Sequence, residues 1–178
     1  SCFFQAAGKL VGVGTECHYT SHMPLVAIIS KPQKPELAGI LRELVSWLEI
    51  HDYQCVLDPD SAAYLAVPGG IERPDMPAHK PNLVIVLGGD GTLLAAARAF
   101  ARTITPILSV NLGSLGFLTE IPLGDLYVTL QEWCDHRADV EVRSMMHAEL
   151  RRDGKQLHEW DALNDVVVAK GTIARMAD

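Results

Sequence analysis

Three glycines, a carboxylate and a hydroxyl fall within five consecutive positions, Gly88-Gly89-Asp90-Gly91-Thr92. Glycine tolerates positive φ and has no Cβ to hold a ligand away, so such a turn lets backbone amides close on phosphate oxygens. Asp90 does not suit a pure phosphate cradle, because a carboxylate repels phosphate. An acid in that place is expected to hold a divalent metal or to take a proton from an attacking hydroxyl. A second glycine-rich stretch, Asn111-Leu112-Gly113-Ser114-Leu115-Gly116-Phe117, follows with Leu118 and Thr119. Nearer the end of the chain, Asn164 and Asp165 bring an amide beside a carboxylate, and Arg175 stands before Met176.

The elements around these residues must place them together. Leu83 to Leu87 is an uninterrupted apolar run, which reads as a strand buried on both faces. Leu93 to Phe100 reads as a helix, with Thr92 expected to cap it and its first amides facing the turn. Ile104 to Val110 reads as a further strand running into the second glycine stretch. In an open parallel sheet, ligands sit beyond the carboxyl ends of the strands, so the two turns are expected to share one crevice. Upstream, Pro24 to Ser30 reads as the first strand. Leu37, Ile40, Leu41, Leu44, Trp47 and Leu48 then recur at helical spacing, and Gln54 to Leu57 supplies the next strand.

Residues 67–81 carry four prolines and are expected to form an irregular surface connection; Asp75 and His79 within it belong to no motif. Leu126 to Trp133 reads as a helix capped by Asp125. Beyond about Val140 strands follow strands. Arg143 to Leu150 and Lys155 to Trp160 flank an Asp153-Gly154 turn signal, and Val166 to Ala169 forms a third run. The expected fold is therefore α/β: a Rossmann-like, three-layer, parallel-sheet domain over residues 23–139. The beginning of an all-β domain, truncated at residue 178, is expected over 140–178.

The bulk properties narrow the partners. A formal net charge of -7 over 178 residues argues against nucleic acid, which wants a basic face. Cys2, Cys17, Cys55 and Cys134 show no paired spacing, which fits reduced thiols and a cytoplasmic setting. No apolar run approaches the roughly 20 residues that cross a bilayer, so no membrane partner is expected. Ser21-His22-Met23 looks like a cloning junction before a native start, so residues 1–22 are expected to be a vector-derived leader or disordered, with no signal peptide. His18 and His22 in that leader carry no expected role, and Arg98 and Lys170 read as solvated surface cations.

Gly-Gly-Asp-Gly-Thr resembles the phosphate-binding signature shared by NAD kinases, diacylglycerol-type lipid kinases and phosphofructokinases. The Asn111 to Phe117 segment is similar to the Asn-Leu-Gly-x-Leu-Gly-Phe pattern of the NAD kinase family in particular. Leu163 to Val167 resembles the Asn-Glu motif of that family, with the shorter Asp165 in place of Glu, and Arg175-Met176 matches a downstream basic position. The resemblance spans residues 24–178. It implies transfer of a phosphoryl group from ATP, with a divalent metal such as Mg²⁺, to the 2′-hydroxyl of the adenosine ribose of NAD, giving NADP. It further implies that Asp90 is the general base and that Gly91 lets NAD approach. Asn164, Asp165 and Arg175 would contact the dinucleotide, beside a phosphate loop of Gly88, Gly89, Gly91 and Thr92 and a second loop of Asn111, Gly113, Gly116 and Phe117. A homodimer or homotetramer is implied as well. The family's later Gly-Ser-Thr-Ala-Tyr-type segment is absent, so the chain by itself could be inactive. A lipid or sugar kinase of the same superfamily, or a non-catalytic nucleotide-binding module, stands as the alternative.

Overall fold

The computed structural model describes residues 2–6, 23–113 and 116–167. The centre is a sheet in the order β3-β2-β4-β5-β1-β7, with the short β6 (Ile121–Pro122) beside β5. The strands are β1 (Cys2–Ala6), β2 (Leu25–Ser30), β3 (Gln54–Leu57), β4 (Leu83–Leu87), β5 (Pro106–Asn111) and β7 (Val140–Ser144). All of the pairings are parallel except that of β1 with β7. Strand β1 lies between β5 and β7, and residues 7–22 lie outside the described residues.

Strand geometry sends successive side chains to opposite faces, so the apolar runs of β2 and β4 supply two cores at once. Val26, Ile28, Leu83, Ile85 and Leu87 meet Leu37, Leu41, Leu44 and Leu48 of helix α1 (Leu37–Ile50), with Leu126 and Leu130 of α4 (Leu126–Cys134). Ala27, Ile29, Val84 and Val86 face the other way, against Leu93, Ala96 and Ala97 of α3 (Asp90–Ala99), Phe100 and Met76. This is the expected three-layer arrangement. The four leucines of α1 are essentially fully buried, each worth about 1.5–3 kcal/mol in area removed from water.

Several local expectations are corrected. Helix α2 (Pro59–Leu65) was not read from the sequence; Asp58 caps it by accepting the Ser61 amide, and Pro59 occupies the first turn, where its missing N–H costs nothing. The proline-rich connection contains a 3₁₀ helix, Arg73–His79, because Met76 is drawn fully into the core below α3. Thr92 does not cap α3. The helix begins at Asp90 with Gly89 as its cap residue, and Thr92 turns inward, 8% exposed, in the first turn. Asp125 stands at the cap position of α4 without a side-chain cap bond, since the 3₁₀ turn Leu123–Asp125 already runs into the helix.

The strand read over Arg143 to Leu150 is divided between β7 in the main sheet and β8 (Met146–Arg152). Strand β8 pairs with β9 (Lys155–Ala162) in an antiparallel hairpin. Asp153 and Gly154 turn it with φ of 52° and 76°, the paired positive values of a type I′ turn. Both faces are largely exposed. Arg102, just beyond α3, holds β9 through Glu159 at 3.0 Å and Asp161 at 3.4 Å. Of the third apolar run, Val166 and Val167 form no strand, while Val168 and Ala169 lie outside the described residues.

Candidate functional site

The two glycine stretches meet at the carboxyl edge of the sheet, as the crevice argument expects. The Gly88 amide leaves β4 by donating to the Val110 carbonyl at 3.0 Å, and the Lys31 amide donates to Leu87 at 2.8 Å. The end of β4 is thereby pinned between β2 and β5. Glycine is needed at position 88 for close approach and not for positive φ: a Cβ there would lie 2.7 Å from the Thr92 Cβ, closer than side-chain carbons pack. Gly89 and Gly91 have nothing within 4 Å of the place a Cβ would occupy. Among the described residues, positive-φ glycines occur only at Gly69 and Gly154.

Asp90 opens α3, where the helix dipole favours an anion. Its carboxylate is held by the second glycine stretch. Oδ1 accepts the amides of Leu118 and Thr119, both at 3.1 Å, and the Thr119 hydroxyl at 3.2 Å. Oδ2 accepts the Phe117 amide at 2.9 Å. Gly116 makes this possible, since a Cβ on it would stand 2.8 Å from the Asp90 Cγ and 2.6 Å from the Thr119 hydroxyl. Burial by itself would raise the Asp90 pKa. The amides of Leu118, Phe117 and Thr119, with the Thr119 hydroxyl, outweigh it and hold the carboxyl below the usual range. Asp90 is therefore ionised at neutral pH.

Asn111 ends β5, nearly buried, and its Oδ1 accepts the Gly113 amide at 3.0 Å, which shapes the start of the second turn. Phe117 is 97% exposed beside the Asp90 carboxylate. So Gly88, Gly89, Asp90, Gly91, Thr92, Asn111, Gly113, Gly116 and Phe117 converge, while Ser114 and Leu115 lie outside the described residues.

Asn164 and Asp165 are exposed and bond each other, Nδ2 to Oδ2 at 2.8 Å. They line a cleft of about 660 Å³ whose wall includes Leu94 and Arg98 of α3, Leu150 and Trp160 of the hairpin, and Val167. Asp90 does not line it. Asp90 and Leu94 nonetheless stand on one face of α3, about 6 Å apart along the axis at 1.5 Å per residue. The helix thus joins the glycine turns to the cleft. Arg98 is exposed and makes no ion pair among the described residues. Arg175 and Lys170 lie outside the described residues.

One polar cluster was missed in the sequence. Asp58, fully buried, accepts the Ser61 hydroxyl at 2.6 Å and the Arg73 guanidinium at 2.7 Å. Arg73 also donates to the Ser30 carbonyl at 2.8 Å and to Asp60 at 2.9 Å. The cluster ties the carboxyl end of β2 to α2 and the 3₁₀ helix. Its readable signal was Asp58-Pro59, an N-cap followed by a first-turn proline. Arg73, Asp60 and Glu72 face α3 across a second cleft of about 590 Å³.

Metal binding and proton transfer were both open for Asp90. Among the described residues no group of three or more His, Cys, Asp or Glu is placed to hold a metal. Amide and hydroxyl donors crowd Oδ1 of Asp90, while Oδ2 takes a single amide among the described residues, so the geometry leaves Oδ2 as the oxygen open to a proton or a cation.

Comparison with known proteins agrees with this arrangement. Residues 26–138 match the model of the ATP-NAD kinase N-terminal domain. The chain is 60% identical over 156 residues to the NAD kinase of Acidobacterium capsulatum, covering 88% of this chain and 55% of that protein. It is 51% identical over 154 residues to the NAD kinase of Koribacter versatilis, covering 86% and 54%. The chain therefore spans about half the length of the curated relatives it matches. Its fold is similar to that of yeast NADH kinase in complex with NADH, with a TM-score of 0.64 and 21% identity over 90% of this chain and 53% of that one. With more than half of its residues matched by the family's N-terminal domain, this chain belongs to the ATP-NAD kinase family.

Proposed function

We propose that the protein containing this chain is an NAD kinase, which transfers the γ-phosphoryl group of ATP to the 2′-hydroxyl of the adenosine ribose of NAD. The observation that carries the reading is Asp90, an ionised carboxylate at a helix start between two glycine turns, whose Oδ2 takes a single donor among the described residues. The names of the relatives at 60% and 51% identity support the same substrates. In the reaction, the ribose O2′ bonds to the γ-phosphorus and its proton passes to Asp90 Oδ2. The bond from that phosphorus to the bridging oxygen breaks, and ADP leaves. Phosphoryl transfer asks the protein mainly for positioning and charge, and a placed base contributes about 10²–10⁴ in rate.

On this reading Gly91, exposed and open around its Cα, lets the dinucleotide reach the backbone. Asn164 and Asp165 exchange their mutual bond for bonds to the dinucleotide, and Arg175 stands near its phosphate or ribose. The divalent cation, expected as Mg²⁺, is a companion of the ATP phosphates. We place the protein in the cytoplasm as a homodimer or homotetramer, with residues 23–139 as the nucleotide-binding domain and 140–178 as the start of a β-rich one. Support for a non-membrane setting is that no described helix is long and apolar enough to cross a bilayer. The test is formation of NADP from NAD, ATP and Mg²⁺ by the full-length gene product and by D90N. Activity in the wild type that drops by about 10²-fold or more in D90N is expected. A folded wild type that forms no NADP, or a D90N variant of equal activity, would refute the reading.

A further inference from the structure

We infer that Thr119 is a positioning residue for the phosphoryl transfer proposed above: fully buried beneath the second glycine turn, it holds Asp90 by Oδ1 and thereby assigns Oδ2 to the acceptor hydroxyl. The inference rests on the kinase reading for its reaction, and on the clamp geometry alone for its structural part.

A carboxylate oxygen offers about two lone-pair directions. Oδ1 already takes three donors, two of them the amide and the hydroxyl of Thr119 and the third the Leu118 amide. Among the described residues Oδ2 takes one, from Phe117. Among the described donors the two oxygens of one side chain are therefore unequal, and Oδ2 is the one with capacity for an incoming proton. The amides would be present whatever residue stood at position 119; the hydroxyl is specific to this side chain. Being 0% exposed, Thr119 has no water to turn to, so its hydroxyl gains most by keeping Oδ1 as acceptor. Gly116 completes the device, because any side chain there would enter the space shared by the Thr119 hydroxyl and the Asp90 carboxylate. The consequence is a base whose rotamer is set before substrate arrives, the preorganisation on which proton transfer at a fixed distance depends.

The test compares T119V, which keeps the shape and loses the hydroxyl, with T119S, which keeps the hydroxyl, in the full-length protein. Three readouts are needed: kcat and KM for NAD as a function of pH, the ¹³C carboxyl titration of Asp90 without substrates, and the thermal transition. T119V is expected to lower kcat about tenfold or more while KM for NAD stays within about twofold. The acid limb of kcat and the Asp90 titration should both move to higher pH, and T119S should restore both. Wild-type kcat and titration in T119V, or losses that T119S does not repair, would overturn the inference. Should T119V lose its thermal transition, T119A against T119S decides by the same readouts. A wild-type protein with the low Asp90 titration but no NADP formation would refute the kinase reading alone. NADP formation with an unaltered T119V would refute the clamp alone.

Discussion

Replacing Gly116 with alanine adds one methyl group at the place where the two glycine turns touch. The new Cβ would fall 2.6 Å from the Thr119 hydroxyl and 2.8 Å from the Asp90 Cγ, distances that van der Waals contact forbids. Thr119 is fully buried and anchored in the chain, whereas Asp90 is the movable end of a side chain, so the carboxylate swings away. The steric clash is then relieved, and what is lost is the set of bonds from Phe117, Leu118 and Thr119 to Asp90. Because Asp90 is half-exposed and regains water, the expected destabilisation is about 1–3 kcal/mol, well short of the gross value of the bonds. Catalysis should suffer far more. A base displaced from its hydroxyl forfeits a large part of the roughly 10²–10⁴ it contributes. Gly91→Ala is the stability control, since nothing lies within 4 Å of its Cβ position; it is expected to unfold within about 1 kcal/mol of wild type. The assay pairs urea unfolding with initial rates of NADP formation by the full-length protein. A G116A variant as stable and as active as wild type would refute the claim that this contact seats the base.

Two further outcomes follow from the same geometry. The Asp90 carboxyl is held below its ordinary pKa in the folded protein, so it adds stability above the unfolded value of about 3.9. That contribution disappears as pH falls through the folded value, and D90N should flatten this part of the acid limb of stability, measured by urea unfolding between pH 2 and 6. Arg73→Ala leaves the fully buried Asp58 without its guanidinium partner at 2.7 Å. A loss of about 3 kcal/mol is expected, read from the urea midpoint, and D58N in the R73A background should recover part of it.

The amino-acid pattern alone was enough to determine the α/β core and the glycine turns at its edge. Leu83 to Leu87 read as a strand covered on both faces, and Leu37, Leu41, Leu44 and Leu48 as one buried stripe of a helix, because local periodicity and burial are written in neighbouring positions. Gly88 to Thr92 announced a strand, a turn and a helix start for the same reason. Asp153-Gly154 likewise specified the hairpin turn it forms. Relations between distant positions were decided only by the tertiary structure. Nothing near Thr119 in the chain reveals that it bonds Asp90, 29 residues away, and nothing near Asp58 reveals Arg73, 15 residues on. Thr92 read as a helix cap because its type suits one; in the fold it is turned inward over Gly88, and the cap position belongs to Gly89. Met76 similarly drew a proline-rich stretch into a 3₁₀ helix by being buried. Propensity and periodicity are short-range properties. Which buried polar group finds which partner depends on loop closure, and that is settled only when the sheet brings its carboxyl ends together.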